Sequence, residues 1–222
     1  MIDLNKEATP YLAELLGTFG FVFIGAGAVV LNQASGGALG IQGIALAHGM
    51  ALLAFIYAFN HISGSHFNPA ITIAMWIAKK IETGVALGYI VSQLAGAVLA
   101  AIFIEGLFGS TAKAIPAPAS IDVFSTLLLE GILTFFLTLV VFGILVDRRS
   151  HTSHAGLAIG FLFSGMVLIG FGLTGGAFNP ARAFGPALVS NSWVNQWIYW
   201  VGPIIGAAVA ALVYEYGILR KA

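Results

Sequence analysis

Phe67-Asn-Pro-Ala70 and Phe178-Asn-Pro-Ala181 repeat one tetrapeptide, once in each half of a chain that is otherwise almost continuously apolar. Glycines precede both copies (Gly64; Gly175 and Gly176), and helix-compatible segments follow, Asn68–Ile77 and Asn179–Val189. Asn is a strong N-cap, and Pro fits the first helical position because its missing N–H would be unpaired there anyway. Each copy therefore predicts a helix start, with unpaired backbone N–H groups and a positive dipole end. Inside a bilayer such ends are tolerated only against buried protein or along a water-filled path. That combination points to a channel.

The 222 residues are 59% hydrophobic and 8% charged, with a mean hydropathy of +0.97. A soluble domain carries about 25% charged residues, so the chain is expected to be an integral membrane protein. Formal net charge is zero, which gives nucleic acid no basic face to bind. There is no cysteine, which removes disulfides, thiol chemistry and thiolate metal ligands. Met1 to Pro10 is polar and lacks the basic-then-apolar order of a cleaved signal peptide, so the first apolar stretch is expected to be a retained span.

Six stretches reach the roughly 17–25 residues that cross a hydrocarbon core: about Tyr11–Leu31, Leu39–Phe59, Val85–Glu105, Val123–Val146, Ala155–Leu173 and Trp197–Tyr216. The two segments after the tetrapeptides are too short. At about 1.5 Å per residue they reach only about half the core, so they read as half-helices. Basic residues set the orientation. With both termini in the cytoplasm, that side holds Lys6, Lys79, Lys80, Arg148, Arg149, Arg220 and Lys221, and the outer loops hold only Lys113.

The two halves of the chain match. Glu14-Leu-Leu-Gly-Thr18-Phe19 parallels Glu130-Gly-Ile-Leu-Thr134-Phe135, the tetrapeptides follow, and Gly96-Ala97 parallels Gly206-Ala207. The shift along the chain is nearly the same for all three pairs. It indicates one duplicated unit, about 11–106 and 122–217, within a single domain spanning 1–222. Three full spans per unit is an odd number, so the second copy must lie inverted across the bilayer. The half-helices then enter from opposite faces, and Asn68 and Asn179 meet near the midplane. As N-caps, each asparagine uses its side-chain oxygen on backbone and keeps an NH₂ to donate. A water between them would offer its oxygen to both and point its hydrogens along the pore. Proton transfer through the centre is thereby disfavoured, and the two dipole ends disfavour cations.

With these motifs, the chain resembles the aquaporin (major intrinsic protein) family. The similarity is carried by Ala13-Glu-Leu-Leu-Gly-Thr-Phe19, His61-Ile-Ser-Gly-Ser-His-Phe-Asn-Pro-Ala-Ile-Thr72, Gly175-Gly-Ala-Phe-Asn-Pro-Ala-Arg-Ala-Phe-Gly-Pro-Ala-Leu188 and Tyr199-Trp-Val-Gly-Pro203. It implies an all-α membrane protein, a right-handed bundle of six tilted helices and two half-helices, assembled as a homotetramer with one pore per subunit. It also implies a selectivity filter at His48, Val167, Gly176 and Arg182. Carbonyls of Gly64, Ser65, His66 and Phe67, and of Gly175, Ala177 and Phe178, would supply a ladder of acceptors. Glu14 and Glu130 would anchor the irregular backbone before each half-helix, because a buried amide left unpaired costs about 1–3 kcal/mol. No cofactor is implied.

Strictly water-selective members typically carry an aromatic where this chain has His48, a histidine at Val167 and a bulkier residue than Gly176. The present set resembles plant vacuolar and some archaeal members. A wider, less polar opening is expected, passing water and some ammonia or hydrogen peroxide. Glycerol facilitation is the alternative. It is disfavoured because the glycerol branch usually has Asp after the filter arginine, where this chain has Ala183. A coupled transporter would need ionisable groups beside Asn68 and Asn179, and none is there. An enzyme is not expected, since no His-Glu-x-x-His or Gly-x-Ser-x-Gly occurs. His61 and His66 lack carboxylate or thiol partners for a metal, and His151 and His154 read as part of a solvated cytoplasmic connector. The Ser110–Asp122 loop, with Pro116 and Pro118, could cover the outer mouth.

Overall fold

The computed structural model describes the backbone of residues 4–219 and side chains from residue 8 onward. Lys6, Arg220 and Lys221, three of the residues that set the predicted orientation, lie outside the described side chains. Among the described residues eight α-helices follow in order: α1 (Leu4–Ala34), α2 (Gly40–Ser63), α3 (Pro69–Ile77), α4 (Thr83–Phe108), α5 (Val123–Val141), α6 (Ala155–Thr174), α7 (Pro180–Val189) and α8 (Ile198–Val213). Single π-helical turns, Phe142–Val146 and Tyr214–Ile218, continue α5 and α8. No strand occurs among the described residues. Six of these helices are long and apolar enough to cross a membrane. They match the expected spans to within a few residues, except that α1 begins well before Tyr11.

The half-helices start as the tetrapeptides predict. Asn68 (φ −155°, ψ 118°) and Asn179 (φ −156°, ψ 113°) are extended N-caps, each followed by Pro at the first helical position. Asn68 Oδ1 accepts the Ala70 N–H at 2.9 Å, and Asn179 Oδ1 accepts the N–H of Ala181 at 2.9 Å. Upstream, α2 and α6 both stop at a left-handed glycine, Gly64 (φ 84°) and Gly175 (φ 81°). Glycine takes this conformation without a Cβ clash, which lets a long helix end and the chain turn back into the protein.

Packing repeats along the inverted halves. α1 lies on α4 as α5 lies on α8, and each half-helix crosses to the other half: α3 packs on α8 and α7 on α4. The crossings are made by glycines. A Cβ on Gly96 would stand 2.3 Å from the Leu15 carbonyl oxygen, and one on Gly206 would stand 1.9 Å from that of Gly131. Leu15 and Gly131 are themselves related by the register that pairs Glu14 with Glu130. Without a hydrophobic drive between helices in lipid, such backbone approach is what van der Waals packing relies on.

Candidate functional site

The two asparagines bind each other's half of the chain. Asn68 Nδ2 donates to the Phe178 carbonyl at 2.9 Å, and Asn179 Nδ2 donates to the Phe67 carbonyl at 2.8 Å. Each amide NH₂ has two hydrogens, so one is spent on this exchange and one remains. Beyond the expected NH₂ left to donate, the structure spends one hydrogen of each amide on the other half's backbone, with the Phe67 and Phe178 carbonyls as its acceptors. The cross-bonds hold the two helix starts tip to tip. Asn68 and Asn179 are 4% and 2% exposed, and both line one internal cavity together with Ser65, His66 and Phe67.

The backbone leading into each start is strained in the same places. Ser65 (φ 50°), Phe67 (φ 49°) and Phe178 (φ 52°) occupy the left-handed region, alongside Gly176 (φ 59°). Such conformations cost on the order of 1–3 kcal/mol each for non-glycine residues and persist only where the surroundings hold them. Glu14 and Glu130 do the holding. Glu14 accepts from the His66 N–H (2.9 Å) and the Phe67 N–H (2.7 Å), and Glu130 accepts from the Ala177 N–H (3.1 Å) and the Phe178 N–H (2.7 Å). Both carboxylates are wholly buried.

Sequence reasoning missed the residues that complete these anchors. Ser63 and Thr174 donate hydroxyls to Glu14 and Glu130, each at 2.6 Å, and accept the N–H of Ser65 and Gly176. Tyr89 and Tyr199 donate to the carbonyls of Ser63 and Thr174 at 2.9 and 2.6 Å. Ser63 stands to Thr174 as Asn68 stands to Asn179, and Tyr89 to Tyr199 as Gly96 to Gly206, so the repeat register could have found them. One partner has no counterpart. Gln93 Nε2 donates to Glu14 at 2.8 Å and to Thr72, but the second half carries Pro203 at the matching position. His66 is held from several sides: its ring Nδ1 lies 3.1 Å from Thr72 Oγ1, and its edge meets Tyr89.

The four expected filter positions are all buried: His48 on α2, Val167 on α6, Gly176 in the turn before α7 and Arg182 on α7. Arg182 is only 1% exposed and donates from Nη1 to the Ala114 carbonyl at 2.7 Å. His48 Nδ1 lies 2.9 Å from the Ile44 carbonyl, and its Nε2 has no partner among the described residues. Arg182 Nε has none among them either. Two polar groups are thus left unpaired: the Arg182 Nε–H, which donates, and His48 Nε2, which accepts when Nδ1–H serves the Ile44 carbonyl. Gly176 sits against the Phe171 backbone of α6, where a Cβ would come within 3.3 Å. Phe171 lies one turn beyond Val167.

The loop after α4 closes over this region. Besides Ala114, its Pro116 carbonyl accepts from Gln196 Nε2 (3.3 Å) and its Ala119 N–H donates to Leu173 (3.0 Å). A Cβ on Gly175 would meet Pro116 Cα at 2.7 Å. Arg182, Lys113, Ala114, Phe171 and Gly175 surround an open vestibule here. At the opposite end His151 and His154 are exposed, as a solvated connector requires.

A family model for the major intrinsic protein matches residues 3–214. The chain belongs to the major intrinsic protein family. It is 39% identical to Aquaporin NIP1-1 of Oryza sativa subsp. japonica over 94% of this chain and 73% of the relative. It is 41% identical to Probable aquaporin TIP3-2 of Arabidopsis thaliana over 94% of this chain and 83% of that one. Aquaporin AqpM of Methanothermobacter thermautotrophicus is 38% identical, covering 97% and 98%. In three dimensions the chain superposes on the X-ray structure of the aquaglyceroporin from Plasmodium falciparum with a TM-score of 0.88, over 96% of this chain and 98% of that one, at 24% identity. As an aquaporin, this is an integral membrane channel for water or small solutes and not an enzyme. The fold is the aquaporin fold.

Proposed function

We propose that the chain is a passive water channel that also passes small neutral solutes such as ammonia or hydrogen peroxide and excludes protons and ions. The observation that carries this is the reciprocal exchange between Asn68 and Asn179. It leaves one amide hydrogen on each side at the junction of two positive helix ends, and no acid among the described residues bonds to either asparagine. A single-file water there receives two donors and has no acceptor for its own protons at the crossing point. Cations cannot replace their hydration shell with amide hydrogens.

Selectivity is assigned to His48, Val167, Gly176 and Arg182. Arg182 contributes fixed donors and a charge against cations, and Val167 and Gly176 contribute space. Gly64, Ser65, His66, Gly175 and Ala177 offer carbonyls along the file. Glycerol facilitation is the competing function. Ala183 beside Arg182 argues against it, and the small Val167 and Gly176 argue for it. The subunit is read as one domain of two units, 11–106 and 122–217, assembling as a homotetramer in the cell membrane with both termini cytoplasmic. Water and small neutral solutes are the permeants assigned by this reading.

Stopped-flow light scattering on proteoliposomes, challenged in turn with sucrose, glycerol and ammonium gradients, tests these assignments. Fast water and ammonia equilibration with slow glycerol entry is expected. Glycerol entry as fast as water exchange would make the protein a polyol facilitator, and absent water flux would remove the channel reading altogether.

A further inference from the structure

We propose that Phe21 and Phe163 form a second, aromatic constriction on the Arg182 side of the paired asparagines, and that this pair sets the largest solute the pore admits. The constriction presupposes the channel function above and specifies where its size limit lies.

The two rings meet edge to face, with centroids 5.2 Å apart and planes at 89°. Each residue is 1% exposed, and both line the cavity that holds Asn68 and Asn179. Phe163 also stacks along His48 (6.2 Å, 18°) and meets Phe178 edge-on at 5.8 Å, directly before the Asn179 cap. Phe21 meets His48 at 5.9 Å. The rings therefore stand between the expected filter histidine and the asparagines. The cavity they border and the vestibule beside Arg182 share no lining residue, so the two are separate spaces with the rings at the inner one's wall.

The inverted repeat shows that this is not a requirement of the fold. In the register that pairs Glu14 with Glu130, the counterpart of Phe21 is Leu137. In the register that pairs Asn68 with Asn179, the counterpart of Phe163 is Leu52. Leu52 and Leu137 line the same cavity, which continues past Ile56, Val141 and Ile159. One side of the asparagines is thus walled by leucines and the other by flat aromatic rings packed against each other. A phenyl ring is wider than an isobutyl group and cannot fold aside when a second ring abuts its face. Val167 and Gly176 can widen the outer filter without widening this point.

Substituting each aromatic by its repeat counterpart tests the constriction. Phe163→Leu, reconstituted in liposomes, should raise the ratio of glycerol to water permeability at least about tenfold, the scale on which a few atoms of pocket volume discriminate. Phe21→Leu should move the ratio in the same direction, and it decides the question if Phe163→Leu does not fold. An unchanged ratio in folded protein of either variant overturns the proposal. So does a parent protein that already passes glycerol freely, a result that leaves the channel itself standing. A parent without water flux overturns the channel function instead, and the constriction with it.

Discussion

Gly49 and Gly160 lie backbone to backbone across the α2–α6 crossing. A Cβ on Gly49 would come 2.3 Å from the Gly160 carbonyl oxygen, and a Cβ on Gly160 would come 2.6 Å from that of Gly49. The two positions share the register of Asn68 and Asn179, so each glycine is its partner's repeat counterpart and the local two-fold axis runs through their contact. Because the obstructing atoms are backbone, a side chain must push the helices apart. Gly49→Val or Gly160→Val should cost about 1–3 kcal/mol or more and sharply lower the yield of monodisperse protein in size-exclusion chromatography. Gly165 and Gly106, which have nothing within 4 Å, should accept Ala without loss.

Glu14→Gln and Glu130→Gln each replace one acceptor oxygen with a donor, so one backbone N–H before the half-helix loses its partner in either orientation. The cost is about 1–3 kcal/mol per site. Glu130→Gln should be the more damaging. Gln93 has an unpaired Oε1 that can turn to the new amide at position 14, whereas Pro203 offers nothing at position 130. Thermal melts of the detergent-solubilised variants check the order.

Arg182→Met removes a buried charge and leaves the Ala114 carbonyl without its donor. These two effects oppose each other, so stability should change by no more than about 1–2 kcal/mol. Transport should change far more. Proton and cation leak, followed with a pH-sensitive dye in proteoliposomes, should rise above the parent. An unchanged leak would remove Arg182 from the filter.

Asp147, just past the end of α5, accepts from the Arg149 backbone N–H (3.0 Å) and Nε (2.9 Å) and from the Tyr214 hydroxyl (3.0 Å), tying the connector after α5 to the end of α8. The Arg149 hydrogen bonds hold its carboxyl well below the usual carboxylate range. A carboxylate depressed in the folded state contributes stability above its unfolded value, about pH 4, and loses it as pH falls through the folded value. The melting-temperature gap between the parent and Asp147→Asn should therefore be constant from neutral pH to about pH 4 and close only below it.

The half-helices are legible in sequence because Asn-Pro constrains backbone locally: a cap and a fixed φ need no tertiary partner. The spans are legible because lipid demands length and apolarity of each helix separately. Glu14 and Glu130 stand out as acids where none should be. The anchoring role of Ser63, Thr174, Tyr89 and Tyr199 does not, since hydroxyls are unremarkable in a membrane helix and only the repeat register pairs these four. Which face of α6 carries Phe163 is hidden for a related reason: a helix apolar all round has no stripe to show what it faces. The loop through Ala114 and Pro116 has no periodicity, and its place is decided by Arg182 and Gly175, far away in the chain.

Parallel water and proton fluxes through one set of proteoliposomes test the paired-asparagine junction most directly. Stopped-flow shrinkage should show water permeability well above protein-free vesicles, while an entrapped pH dye under a proton gradient stays at the protein-free rate. Proton entry that rises together with water flux would contradict the account.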